Sequence, residues 1–221
     1  MNQPSTINYS AASKLETNKV LRNTYALLSM TLFTSAIAAF FAVVAGIGHM
    51  ASIGMMVAAM IIVFFVLPRS INSSMGLVWT FVFTTLMGAS LGPLLSAYLQ
   101  FPQGPAIVMQ ALGMTGLIFF GLSGYVLTTK KDFSFMSGFL MAGLIVVVVS
   151  MLLNLFLQIP MLSLAISGAA VMLFSGFILY DTSNILNGTE TNYIRATISM
   201  YLNIFNIFVH LLHILGFLND D

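Results

Sequence analysis

Of 221 residues, 7 are Lys or Arg, 6 are Asp or Glu and none is Cys, while 59% are hydrophobic. Charged residues make up 6% of the chain, against ~25% in soluble globular domains. The mean hydropathy of +1.00 is too high for a water-facing surface, so the composition is that of a polytopic membrane protein. A formal net charge of +1 supplies no basic field for nucleic acid, and the lack of cysteine excludes disulfides, thiol catalysis and cysteine-ligated metals.

Residues 1–22 are polar, rich in Ser, Asn and Thr, and carry Lys14, Glu16, Lys19 and Arg22. They hold too little apolar surface to order themselves and read as a flexible cytoplasmic tail ahead of a membrane domain over 23–221. No short apolar stretch with a small-residue cleavage site precedes the first long apolar run, which reads as an uncleaved anchor. Seven spans follow, predicted over Tyr25–Ile47, Met50–Leu67, Met75–Tyr98, Pro105–Leu127, Phe135–Leu157, Met161–Leu186 and Ile194–Phe217, each near the ~20 residues that cross hydrocarbon. The connections 68–74, 99–104 and 158–160 are short, which makes successive spans antiparallel neighbours in an all-α seven-helix transmembrane bundle.

The basic residues orient this bundle. Lys14, Lys19 and Arg22 precede the first span, Arg69 follows the second, Lys130 and Lys131 follow the fourth, and Arg195 follows the sixth. The loops at the opposite ends hold none. The positive-inside rule then places the N-terminus in the cytoplasm and, after an odd number of spans, the C-terminus in the periplasm.

Small residues recur where helices can approach closely. Gly88 and Gly92, followed by Pro93, have small-xxx-small spacing, read as packing between spans or, less economically, as a dimer face. The methionines, including Met55, Met56 and Met60, read as flexible apolar packing in preference to a copper path. No cofactor is expected.

One acidic residue, Asp181, falls within a span, ~9 Å from its cytoplasmic end. A carboxylate there is costly to bury, so it is either a gate or proton site or a hydrogen-bonded anchor near the interface. The seventh span supplies partners. Ser199, Asn203, Asn206, His210 and His213 are spaced to share one helical stripe, which must turn away from lipid. Asn203 lies ~13 Å from the cytoplasmic end, close to the depth of Asp181. The stripe serves either as polar glue between helices or as the lining of a wet pathway. His210 and His213 also form an H-x-x-H pair, but two ligands are too few for a closed zinc site, and no metal is expected. The Gly121-Leu122-Ser123-Gly124 run matches the G-x-S-G of rhomboid proteases. Ser123 and His210 differ in depth by roughly 15 Å, far beyond the ~3 Å of a catalytic pair. No catalytic residues are expected and the chain does not read as an enzyme.

Longer segments are more specific. Gly88-Ala-Ser-Leu-Gly-Pro-Leu-Leu95, Ala111-Leu-Gly-Met-Thr115, Ser175-Gly-Phe-Ile-Leu-Tyr-Asp-Thr182 and Tyr201-Leu-Asn-Ile-Phe-Asn-Ile-Phe208 resemble the signature of the Bax inhibitor-1 (TMBIM) family. Lys19–Tyr25, Tyr125–Asp132 and Glu190–Thr197 resemble its YccA-type branch. The resemblance implies a seven-helix bundle with the last helix central, in the bacterial inner membrane. Several members are pH-sensitive calcium leaks gated by an Asp pair, one in the sixth helix and one in a Tyr-Leu-Asp segment of the seventh. Asp181 matches the first, whereas the second reads Tyr201-Leu202-Asn203, so the carboxylate pair is absent. The YccA-type branch implies instead a modulator of the ATP-dependent protease FtsH (HflB) and its HflK–HflC regulators, with the N-terminal tail as the part the protease grips. A calcium or proton leak gated around Asp181 is the alternative.

Overall fold

The structure, a computed structural model, describes the backbone of residues 6–219 and the side chains of residues 15–219. Its elements are α1 (Thr6–Val44), α2 (His49–Ile61), a π-helical turn (Ile62–Val66), α3 (Leu67–Ser70), α4 (Ser74–Ser90), α5 (Gly92–Leu99), α6 (Gly104–Thr129), a 3₁₀ turn (Ser134–Met136), α7 (Ser137–Leu157), α8 (Pro160–Leu186) and α9 (Tyr193–Leu218). Among the described residues they form seven helices long and apolar enough to cross a membrane, with α2–α3 and α4–α5 each making up one of them.

The first of these differs from the sequence reading. α1 runs for 39 residues, about 58 Å at 1.5 Å per residue, nearly twice the ~30 Å of hydrocarbon. From Thr6 the backbone is helical through the rest of the segment 1–22, and residues 1–5 of the expected flexible tail lie outside the described residues. Val20 and Leu21, ahead of the predicted span start at Tyr25, pack against the main core.

Proline shapes the next two spans. Pro68 has no N–H and crowds the preceding turn, which normally ends a helix. Here the helix widens instead, and the N–H of Leu67 reaches the carbonyl of Ile62 five residues back. The second span therefore continues to Ser70, past the predicted end at Leu67. Pro93 breaks the third span between α4 and α5 at Leu91. Beside that break, a Cβ on Gly88 would collide with the carbonyl of Ser35, and one on Gly92 would lie 2.8 Å from Cβ of Ala42. The two glycines let the third span press directly onto the backbone of α1.

At the centre stands α9, which packs against α1, α4, α6 and α8. Ile198, Met200, Tyr201, Ile204, Ile207, Phe208 and Leu211 lie in the main buried cluster with residues of those neighbours. α7 sits outermost, joined to α8 through a second small cluster that includes Leu140, Val147, Ile166 and Leu173. Outward faces carry exposed Phe33, Phe40, Phe64, Phe120, Phe139 and Phe156. So large an apolar exterior is compatible only with lipid contact.

Candidate functional site

The start of α9 is fixed before its polar stripe begins. The Oδ1 of Asn192 caps the helix, accepting from the backbone N–H of Ile194 at 2.9 Å and Arg195 at 3.1 Å. Its Nδ2 donates to the carbonyl of Ile71 at 3.2 Å and to Oδ1 of Asn72 at 2.9 Å, tying α9 to the loop after α3. With the helix so registered, Ser199 and Asn203, one turn apart, face Asp181 on α8. Oδ2 of Asp181 accepts from Oγ of Ser199 at 2.6 Å and from Nδ2 of Asn203 at 2.7 Å. Asn203 is buried.

Further along the same helix pair lies a second polar cluster. Nδ1 of His210 and Nδ1 of His213 both lie 3.2 Å from Oγ of Ser167, and Nε2 of His213 lies 3.3 Å from Oγ of Ser163. Asn206, between the clusters on α9, donates its amide back to the carbonyl of Leu202 at 2.8 Å. The predicted stripe is thus divided. Ser199 and Asn203 serve Asp181, His210 and His213 serve two serines of α8, and Asn206 is satisfied within α9.

Ser163 and Ser167 were not singled out by the sequence reading. A signal existed. Ser163, Ser167 and Asp181 are spaced 4 and 14 residues apart, close to whole turns at 3.6 residues, so they share one face of α8. Serines are unremarked in membrane helices because their hydroxyls usually bond the preceding turn. Here they turn to the neighbouring helix.

Tyr201 forms a third polar contact, at the meeting of three helices. Its hydroxyl donates to the carbonyl of Thr84 on α4 at 3.1 Å and lies 2.7 Å from Oγ of Ser35 on α1. Ser123, the serine of the protease-like run, lies 3.4 Å from Oγ1 of Thr182. Its hydroxyl therefore pairs with a threonine, which provides no general base. Among the described residues no group of three or more His, Asp or Glu side chains gathers where it could hold a metal.

Outside the spans, the α6–α7 connection is pinned to the end of α8. Oδ1 of Asp132 accepts from the backbone N–H of Ser134 at 2.9 Å and from Oγ of Ser183 at 3.3 Å. Ser183 in turn accepts from the backbone N–H of Phe133 at 2.9 Å. The hydrogen bond from the Ser134 backbone holds the Asp132 carboxyl below the usual carboxylate range.

Two cavities flank α9. One of about 600 Å³ lies between α1, α5, α6 and α9 and is lined by apolar side chains such as Leu32, Leu95, Leu112 and Phe208. The other, about 500 Å³, is a vestibule at the C-terminal end of α9, lined by Tyr98, Gln103, His213 and Asn219 among others.

Residues 17–220 match the family described as "Inhibitor of apoptosis-promoting Bax1". The chain belongs to the Bax inhibitor-1 family. It is 50% identical over 209 residues to the modulator of FtsH protease YccA of Escherichia coli K12, covering 95% of this chain and 94% of that one. The same identity holds for a protein named inner membrane protein YccA in another E. coli strain. An uncharacterized membrane protein of Vibrio cholerae is 59% identical over 207 residues, covering 94% of this chain and 93% of its own length. This Bax inhibitor-1 protein is a multi-pass protein of the inner membrane. Where the family resemblance implies a second gating Asp, Asn203 stands as a neutral donor to Asp181.

Proposed function

We propose that this protein is a non-enzymatic modulator of FtsH, acting on the protease and its HflK–HflC regulators within the inner membrane. The observation that carries this reading is the 50% identity, over nearly the full length of both chains, to a protein named for that activity. The polar centre of the bundle supports it. A carboxylate on α8 held by two neutral donors of α9 meets no Asp or Glu on that helix to drive the two apart, so the helix pair suits a stable membrane platform better than a gate.

With the N-terminus in the cytoplasm, as the distribution of Arg22, Arg69, Lys130, Lys131 and Arg195 supports, the N-terminal part of α1 projects toward the cytoplasmic side. We assign the handle for the protease to residues 1–18. Crosslinking in native membranes followed by affinity purification tests the partnership, with recovery of FtsH or HflK–HflC as the expected result. Deleting residues 2–18 tests the handle. Slower FtsH-dependent turnover is expected, and an unchanged half-life would overturn that assignment.

The second reading, a calcium or proton leak, is favoured by one observation: Asp181, a carboxylate on α8, lies at the contact of the two most intimately packed helices and is held there by Ser199 and Asn203 of α9. It predicts that Asp181→Asn alters ion flux in proteoliposomes. Equal flux through both proteins would overturn it.

A further inference from the structure

Three histidines occur in the chain. His49 is exposed at the start of α2, whereas His210 and His213 face α8 one turn apart on α9. Between them sits the hydroxyl of Ser167, itself buried, with an Nδ1 atom 3.2 Å away on either side. A hydroxyl carries one hydrogen. With both rings neutral, Ser167 donates to one Nδ1 and accepts from the other, which must then bear a proton. The two imidazoles are therefore held in opposite tautomers through one shared oxygen. His213 extends the chain, since its Nε2 reaches Ser163 at 3.3 Å, and the same ring lines the vestibule at the C-terminal end of α9.

Inward, the chain stops. The amide of Asn206 is bonded to Leu202 of its own helix, and an amide does not exchange protons as an imidazole does. The groups facing the pair are Ser163 and Ser167 from α8 and, across the vestibule, Tyr98 from α5. The residues lining the vestibule include no carboxylate, lysine or arginine. Asp220 and Asp221 lie outside the described residues.

We infer that Ser163, His213, Ser167 and His210 form a relay that takes up one proton from the membrane face at which α9 ends and holds it between α8 and α9. The transfer balances atom by atom. A proton adds to Nε2 of His213 as Ser163 turns aside. The hydrogen on Nδ1 of His213 passes to Oγ of Ser167, whose own hydrogen passes to Nδ1 of His210. His213 and Ser167 end neutral, and His210 becomes an imidazolium with a hydrogen on each nitrogen. A second proton would place two like charges on either side of one hydroxyl, which their repulsion opposes. The site goes beyond protease modulation and does not depend on it.

Histidine ¹⁵N resonances of the full-length protein in lipid nanodiscs test the relay, with His49 as internal reference and His→Gln variants for assignment. In the wild type, His210 and His213 are expected in opposite tautomers, with a single titration step shared by both rings. Ser167→Ala, which removes the bridge with little change of volume, is expected to lose that correlation and give two separate steps. His213→Gln is expected to slow hydrogen exchange at His210 while leaving His49 unchanged. Identical tautomers in the wild type, independent titration of the two rings, or an unchanged spectrum in Ser167→Ala would each overturn the proposal.

Discussion

Asn203→Asp restores the carboxylate that the family resemblance expects in the seventh span, and the geometry fixes its consequence. Nδ2 of Asn203 lies 2.7 Å from Oδ2 of Asp181. Two unit charges at that separation repel by about 6 kcal/mol at an effective dielectric of ~20. The lost donor removes a further ~1.5–3 kcal/mol, the contribution of a hydrogen bond to a charged group. Nothing else on α9 offsets this, since Ser199 already donates to the same oxygen. The pair must share a proton or separate α8 from α9. While the proton is held, the variant keeps its packing and stability. As pH rises and the proton leaves, stability falls and the interface opens. Calcium flux in proteoliposomes, followed with an entrapped dye from mildly acidic to mildly alkaline conditions, should be low and insensitive to pH for the wild type and should rise with pH for Asn203→Asp. Asn203→Leu separates the effect of charge from loss of the donor, because it cannot repel. A variant as stable as the wild type throughout that pH range, with no added flux, would refute the reasoning.

Three further outcomes are expected. Gly88→Ala drives a methyl into the backbone of Ser35 and should lower stability by roughly 1–3 kcal/mol, measured by thermal unfolding in detergent; Gly121→Ala, which meets open space, serves as the matched control. Tyr201→Phe strips the partner from the carbonyl of Thr84 and the hydroxyl of Ser35, costing about 1–3 kcal/mol, and should speed hydrogen exchange in α4 around residue 84. The depressed Asp132 carboxyl stabilises the α6–α7 connection above its unfolded-state titration, and this support is lost as pH falls through the folded one. Exchange protection at Phe133 and Ser134 should therefore decrease on acidification, and Asp132→Asn should abolish that dependence.

The spans were legible because hydrocarbon demands long apolar runs, and the residues that interrupt them were few enough to map individually. What the sequence misplaced has identifiable physical causes. Val20 and Leu21, ahead of the predicted first span, pack against the core, a tertiary contact that composition does not register. Pro68 signals a helix end in any local reading, and only the widened turn before it carries the helix to Ser70. The polar stripe of α9 was visible from its spacing, and so was the depth at which Asn203 meets Asp181. The division of that stripe between two clusters was not visible, because it is set by which hydroxyls of α8 turn outward. Ser163 and Ser167 carry no charge to betray them.

The position of α9 has a consequence for how the chain is made. A membrane protein is delivered N-terminus first, and domains generally fold in that order during synthesis. The helix on which α1, α4, α6 and α8 all lean comprises 26 residues, Tyr193–Leu218, so it arrives after the other six described spans. Until then Asp181, Ser163 and Ser167 border a slot with nothing in it, and Thr84 and Ser35 await Tyr201. The preceding six spans can only assemble provisionally, as a ring held open for its centre. A chain that stops short by this one helix therefore loses the keystone, and leaves Asp181, Ser163, Ser167, Ser35 and Thr84 without the partners that α9 supplies.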